Sequence, residues 1–338
     1  MRFGYWMPIF GGWLRNVRDE GMSIAWPYLR DLAIESEQHG FDLSLIAELN
    51  LNDIKGHHAP SLDCWTLAPA VAAVTERLEL MLAVRPNYHS PALTAKALST
   101  LDTIAPGRLS LNVVSSWWKD EAAQYGAPFD VHDARYARTQ EWLDVLGRLL
   151  REDTVTHEGP LYHLAGTVLE PKPARLPAVY MGGESPKAKE VIAQQADAYV
   201  MHGDSPEVIA AKVADLTARR AAAGRPPLAF GVSGYVICRD TQAEAQAELG
   251  RILDVRSSAE AYASYQDFVD GSQLESRISV EEYSVSNRGL RSGLIGTPDQ
   301  IIDRLRAYEQ AGVGLMLLQF SPQREEMARF GRDVIRGY

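Results

Sequence analysis

A chain of 338 residues exceeds the size of most single hydrophobic cores, yet α/β barrels of roughly 250 residues plus insertions fold as one domain. Hydrophobic residues make up 46% and charged residues 23%, ordinary globular usage that excludes disorder and fibrous repeats. The formal net charge is −10, from 44 acidic against 34 basic side chains, and no basic cluster offsets it. Such a chain repels phosphate backbones and anionic lipid, so neither nucleic acid nor membrane is an expected partner.

From its first residues, Met-Arg-Phe-Gly-Tyr-Trp, the chain shows neither a signal-like apolar region nor an uncharged apolar run of about 18 residues. The cytoplasm is the expected location. Cys64 and Cys238 stand alone in apolar stretches without C-x-x-C spacing, which fits buried reduced thiols.

Taken in chain order, short apolar runs alternate with amphipathic stretches. Strands are predicted near 3–9, 42–48, 78–84, 109–114, 178–182, 197–202, 229–238 and 313–320, each followed by a helix. Eight such units predict a closed (β/α)8 TIM barrel in a single domain spanning 1–338, ahead of an open doubly wound sheet. Gly40 and Gly312 punctuate the helices that precede the second and last strands. Two segments break the alternation. Residues 152–177, rich in Pro and Gly, read as an excursion before the fifth strand, and polar residues 255–296 read as a lid insertion, with a tolerated surface loop as the alternative.

Barrel enzymes place their sites at the C-terminal ends of the strands. The groups that close the predicted strands are Trp6 to Pro8, Glu48, Arg85 to Asn87, Asn112 to Trp118, Gly182 to Ser185, His202 to Asp204, Tyr235, and Gln319 to Ser321. Gly182-Gly183-Glu184-Ser185 runs into a helix at Pro186. Bare backbone N–H groups and a helix start suit a phosphate, although Ser185 as a plain N-cap explains the same residues and Glu184 speaks against an anion unless it points away. Asn112 with Trp117 and Trp118 suits a flat heteroaromatic ring, and Arg135 with Tyr136 could add charge and a hydroxyl. Packing tryptophans and a solvated Arg135 are the simpler alternatives. Eight histidines show neither His-x-His nor HExxH spacing, so no metal is expected. Serine-elbow, Walker and G-x-G-x-x-G motifs are also missing.

Read together, Trp6-Met7-Pro8, Gly40-Phe41-Asp42, Ser90-Pro91-Ala92, Gly107-Arg108, Asn112 to Ser115, His132 to Tyr136, Gly182 to Ser185 and Gly296-Thr297-Pro298 make the chain resemble the bacterial-luciferase-like flavin monooxygenases, in their sulfone and sulfonate branch. The resemblance implies a barrel that binds reduced FMN made by a separate NAD(P)H-dependent reductase and reacts it with oxygen, in a homodimer or homotetramer. It implies Asn112 at the reactive ring edge with Glu121 near the cofactor, and Arg135, Tyr136, Gly183 and Ser185 around the phosphate arm. Ala83 and Trp117 would border the oxygen side, with Glu48 also among the cofactor contacts. Trp6, His202 and Tyr235, with Arg288 and Arg291 from the lid, would face the substrate. Ser61, Ser233, Tyr235 and Ser321 stand where sulfonate enzymes carry a Cys, an Arg-x-His and a Tyr, which puts a sulfonate clamp in doubt. The leading expectation is oxidation of a small organosulfur substrate. Cleavage of an amide or heterocyclic C–N bond, tailoring of a biosynthetic intermediate, and a non-catalytic flavin-binding barrel are the alternatives.

Overall fold

The computed structural model describes residues 1–17, 19–253, 279 and 282–338. Apolar runs at the expected places form eight strands that pair in parallel all the way round a closed barrel. They are β1 (Arg2–Trp6), β2 (Leu43–Ile46), β3 (Glu79–Val84), β4 (Leu109–Val113), β7 (Ala178–Met181), β8 (Ala198–Met201), β9 (Ala229–Tyr235) and β12 (Leu315–Gln319). The circuit closes where β12 pairs with β1, Arg2 opposite Leu315 and Tyr5 opposite Leu318.

Around the barrel lie α1 (Trp26–Gln38), α2 (Cys64–Val74), α3 (Pro91–Ile104), α4 (Lys119–Gln124), α5 (His132–Leu149), α6 (Pro186–Gln195), α7 (Pro206–Ala222), α8 (Gln242–Leu253), α9 (Pro298–Gln310) and α10 (Gln323–Asp333). Proline at the first turn, where its missing N–H costs nothing, opens α1, α3, α6, α7 and α9. Thr297 and Gln300 add a reciprocal capping box to α9. Gly40 and Gly312 take left-handed φ of 89° and 91°, the conformation that lets each helix turn into the next strand. Among the described helices none is long and apolar enough to cross a membrane.

Strand alternation sorts the side chains into a lumen set and a helix-facing set. The lumen set is marked by contacts that reach across strands. Arg2 of β1 bonds Glu79 of β3 at 2.7 Å, and Glu79 takes the Ser110 hydroxyl of β4 at 2.6 Å. These groups and Tyr180, which interacts with both Arg2 and Glu79, make a polar floor at the N-terminal end. Buried Leu43, Leu45, Met81 and Leu317 fill the middle. Two residues further up each strand, the same parity brings Trp6, Ala83 and Asn112 to the mouth, with Ala83 paired to Asn112.

The excursion at 152–177 folds back on itself as an antiparallel hairpin of β5 (Val155–Glu158) and β6 (His163–Thr167), held to α5 by the Glu141 carboxylate, which accepts from Tyr162 N at 2.9 Å. A two-residue side sheet, β10 (Ile237–Cys238) with β11 (Ile295–Gly296), splits the expected 229–238 strand in two. Cys64 and Cys238 are buried free thiols. Of the proposed lid at 255–296, residues 255–278, 280 and 281 lie outside the described residues.

Gly4 is the tightest point of the lumen: a Cβ there would lie 1.9 Å from Leu43 Cδ2 and 2.9 Å from Leu317 Cδ2. Overpacking a filled core costs about 1–3 kcal/mol. Gly4→Ala is therefore expected to lose that much unfolding free energy, read as a lower urea midpoint at unchanged slope; a midpoint equal to wild type would mean that the lumen is less tightly filled than described.

Candidate active site

Among the described residues, the loops above the strands divide the mouth into a covered half and an accessible half. Over β1, β12, β9 and β8 the cover is dense. Residues 7–25 are tied down by Glu20, whose carboxylate accepts from Trp13 N and Leu14 N at 2.8 and 2.9 Å and from Lys55 Nζ at 2.5 Å. Arg15 pairs with Asp53 at 2.9 Å, and its backbone N–H donates to Ser284 O at 3.1 Å. The latter contact fastens the end of the insertion, which consists of two 3₁₀ segments, Glu282–Ser284 and Ser286–Ser292. Ser286 bonds Gln319 at the tip of β12, while Gly289 sits so close to Tyr235 that a Cβ would lie 2.9 Å from the tyrosine Cβ. Tyr235 is thereby enclosed, at 1% exposure, with burial raising the pKa of its phenol well above the usual range and the Glu20 carboxylate adding to the rise.

Arg288 and Arg291, expected on a gate or in solvent, belong to this cover. Arg288 is 3% exposed and gives its Nη2 to Glu184, while Arg291 pairs with Glu282 and reaches Asp204 at 3.9 Å. Glu184 also accepts from Lys212 of α7 at 2.9 Å. Burial pushes its carboxyl up, but nearby His202, Lys212 and Arg288 outweigh that and hold it down to about 2. The Glu184 side chain thus turns away from the Gly183–Ser185 backbone and is consumed by cations.

A second buried cluster builds the wall beside β3. Arg85, 1% exposed, bonds Glu121 through both terminal nitrogens, gives its backbone N–H to Glu48 Oε2 at 2.7 Å, and lies 4.2 Å over the Tyr88 ring. Glu121 is wholly buried and also accepts from Asn50 N at 2.5 Å, which sets the loop after β2. Glu48 additionally meets His89. Both carboxylates expected near the cofactor are therefore engaged within the protein. Arg85 was marked by its place at the end of β3, whereas His89, which also holds Glu48, was not singled out by its sequence context.

Asn112 stands on the accessible side. It is half-buried at the end of β4, between Ala83 and Tyr180 in register, and among the described residues nothing hydrogen-bonds its amide. Its donor and acceptor are both left for a ligand edge. After the adjacent strand β7, the Tyr136 hydroxyl would lie 3.0 Å from a Cβ on Gly183 and is within hydrogen-bonding reach of Ser185. Burial raises the Tyr136 phenol, with the Ser185 bond partly opposing. Ser185 also caps α6, accepting from Ala188 N at 3.1 Å, so the capping and the ligand readings of this serine coexist.

Arg135, one step along α5, points elsewhere: it donates to Ser116 O and lies 4.7 Å over the Phe129 ring. Its Nε, Ser116 Oγ and Asn87 Oδ1 are buried without partners around a crevice of about 10 Å³, room for one water-sized group. Trp117, 39% exposed, stacks on Trp118 at 5.4 Å, and His57 meets Trp118 edge-on at 5.0 Å. Trp6 is packed against Trp13 with its indole N–H buried and unbonded. The structure therefore gathers Ala83, Asn112, Tyr136, Gly183 and Ser185 on the accessible side, with Trp117 at the rim, and His202, Tyr235, Arg288 and Arg291 under the cover. An open cleft of about 410 Å³ between α8 and α9, lined by Gln242, Gln300 and Arg304, includes none of these residues.

A parallel barrel with an unbonded amide at the β4 tip and, after the neighbouring β7, a glycine–serine turn met by the Tyr136 hydroxyl of α5, has the outline of a flavin site. The chain belongs to the luciferase-like monooxygenase family, whose model matches residues 1–314. It is 33% identical to an FMNH(2)-dependent dimethylsulfone monooxygenase of Pseudomonas putida, covering 99% of this chain and 94% of that protein. A protein of the same description from Pseudomonas fluorescens (strain Pf0-1) is 32% identical, over 99% and 93%. Among solved structures, DmoA from Hyphomicrobium sulfonivorans superposes with a TM-score of 0.81 at 21% identity, covering 99% of this chain and 86% of that one.

Removing one partner of a buried charge cluster costs about 3–5 kcal/mol, because the remaining charges stay desolvated. Arg85→Met, which strands Glu48 and Glu121, is expected to lose that much in chemical denaturation. Adding Glu48→Gln and Glu121→Gln should restore most of it. A single-variant loss under about 1 kcal/mol, the scale of an exposed pair, would show that the cluster is solvated.

Proposed function

We propose that this protein is the oxygenase of a two-component system: it takes reduced FMN from a separate NAD(P)H-dependent reductase and, with O2, oxidises a small neutral organosulfur molecule of the sulfone type. Its cofactor is reduced FMN, and the dimethylsulfone monooxygenases to which it is similar across nearly their whole length support this reading. Reduced FMN supplies two electrons to O2, one oxygen atom passing to the substrate and the other to water.

The observation that carries the substrate class is the charge balance of the mouth. Among the described residues, Arg15, Lys55, Arg85, Lys212, Arg288 and Arg291 each face a carboxylate. A sulfonate brings a full negative charge that needs a cation to replace its water shell. A sulfone presents two neutral acceptor oxygens and two apolar carbons, which suits a wall of Trp6, Ala83 and aromatic rim groups. Asn112 orients the ring edge with its amide, Tyr136 and Ser185 hold the phosphate, and the cover over β8, β9 and β12 excludes water from the reacting oxygen. The whole chain acts as one barrel domain, in the cytoplasm, as a homodimer or homotetramer.

The test is oxygen uptake with a flavin reductase, FMN and a panel of sulfones, sulfonates, amides and pyrimidines, with product mass analysis. Turnover of dimethyl sulfone with little on methanesulfonate is expected; the reverse order would overturn the substrate class, and ring or amide cleavage would move the protein to C–N chemistry. Anaerobic fluorescence titration should show FMNH2 binding tighter than FMN, and equal affinities would count against a carrier-fed oxygenase.

Replacing Asn112 with Ala is expected to weaken flavin binding by about 1 kcal/mol, the worth of one hydrogen bond. Product formed per O2 consumed should fall much further, because the misplaced ring spends its electrons on hydrogen peroxide. Wild-type coupling in this variant would leave Asn112 with a packing role only.

A further inference from the structure

The Gly183–Ser185 turn and the 282–292 segment meet at one side chain. Glu184 lies in the middle of the turn, yet its carboxylate leaves the turn and joins two cations from different parts of the chain. Lys212 comes from α7, a 17-residue helix packed on α6. Arg288 comes from the insertion. Lys212 therefore anchors the carboxylate to the barrel, and Arg288 hooks the segment onto it.

Two further contacts show how closely the hooked segment is seated. Arg288 holds a left-handed φ of 53°, which a non-glycine residue keeps when its surroundings fix it. Its carbonyl oxygen would lie 2.5 Å from a Cβ on Gly203, at the end of β8. Any larger residue at 203 would lift the segment off the strand tips.

We propose that Glu184 is a positioning residue that ties occupancy of the Gly183–Ser185 turn to the seating of residues 282–292 over the barrel mouth. The inference rests on the reading that this turn holds the flavin phosphate. When the segment is seated, the Arg288 guanidinium stands beside the turn; when it lifts, that positive charge leaves. A phosphate dianion at the turn therefore favours the seated state, and by linkage seating raises affinity for the phosphate by the same factor. The ribityl phosphate, remote from the reacting ring, thus holds down the cover that shields it. Lys212 keeps Glu184 in place without touching the segment's own seat.

The experiment is hydrogen–deuterium exchange of peptides covering 282–292 in the full chain, without ligand, with photoreduced FMN, and with photoreduced riboflavin, which lacks the phosphate. In wild type, FMN is expected to slow exchange by about tenfold and riboflavin by less than about threefold, within the range of ordinary site-to-site coupling. Glu184→Gln and Arg288→Gln should each exchange faster without ligand and lose the FMN-specific slowing, while Lys212→Met keeps most of it. Circular dichroism identifies a variant that fails to fold, and either of the first two suffices. Flavin fluorescence in the same samples separates the two layers of the argument: equal FMN and riboflavin affinities would remove the phosphate from this turn. Tighter FMN binding without FMN-specific slowing in wild type, or slowing retained in folded Glu184→Gln, would overturn the role of Glu184.

Discussion

Eight strands that all pair in parallel must each return to the same end of the barrel before the next begins, so every C-terminal loop shares one rim. That constraint turns residues far apart in sequence into neighbours. Asn112 closes β4, Ser185 follows β7 and Trp6 ends β1, yet all stand at one mouth because closure by β12 and β1 leaves no other arrangement. The lumen beneath them is filled.

At that rim the dominant theme is neutralisation. Two clusters, Arg85 with Glu48 and Glu121, and Glu184 with Lys212 and Arg288, bury charges that would otherwise attract ions. Such clusters are costly to desolvate and costly to break, so they stabilise little but specify geometry strongly. The first sets the loop after β2 and the start of α4; the second fixes the end of the insertion on the strand tips. Among the described residues, what is left unbonded at the accessible side is the Asn112 amide, with Asn87 Oδ1, Ser116 Oγ and Arg135 Nε around the crevice nearby. A flavin-dependent oxygenase needs this division, because the cofactor brings the reactivity and the protein must mainly orient and enclose it.

Much of this was legible in the sequence, for identifiable reasons. All eight barrel strands were visible because buried parallel strands are short continuous apolar runs, and their ends differ from prediction by a few residues at most. Asn112, Tyr136, Gly183 and Ser185 could be placed from strand-end position and family likeness. The hairpin at 155–167 was hidden, since each of its strands buries a single side chain, Val155 and Leu164, too few to show as an alternating pattern. Arg288 was placed on the lid facing the substrate, but its pairing was hidden, because nothing local reveals a carboxylate 104 positions away in the chain. Glu184 drew notice as an obstacle to an anion. Lys212, lying among ordinary helix polar residues, carried no signal of its role.

The polar floor of Arg2, Glu79, Ser110 and Tyr180 has a bearing on the order of events above it. With the lumen packed and its lower end crossed by bonded side chains, the open approach among the described residues is the accessible half of the mouth between β3 and β7. Whatever settled deepest there would have to arrive first and depart last, so the blocked lower end bears on the order of loading, and its Arg2, Glu79 and Ser110 stand only two to four positions along their strands from Trp6, Ala83 and Asn112 at the mouth.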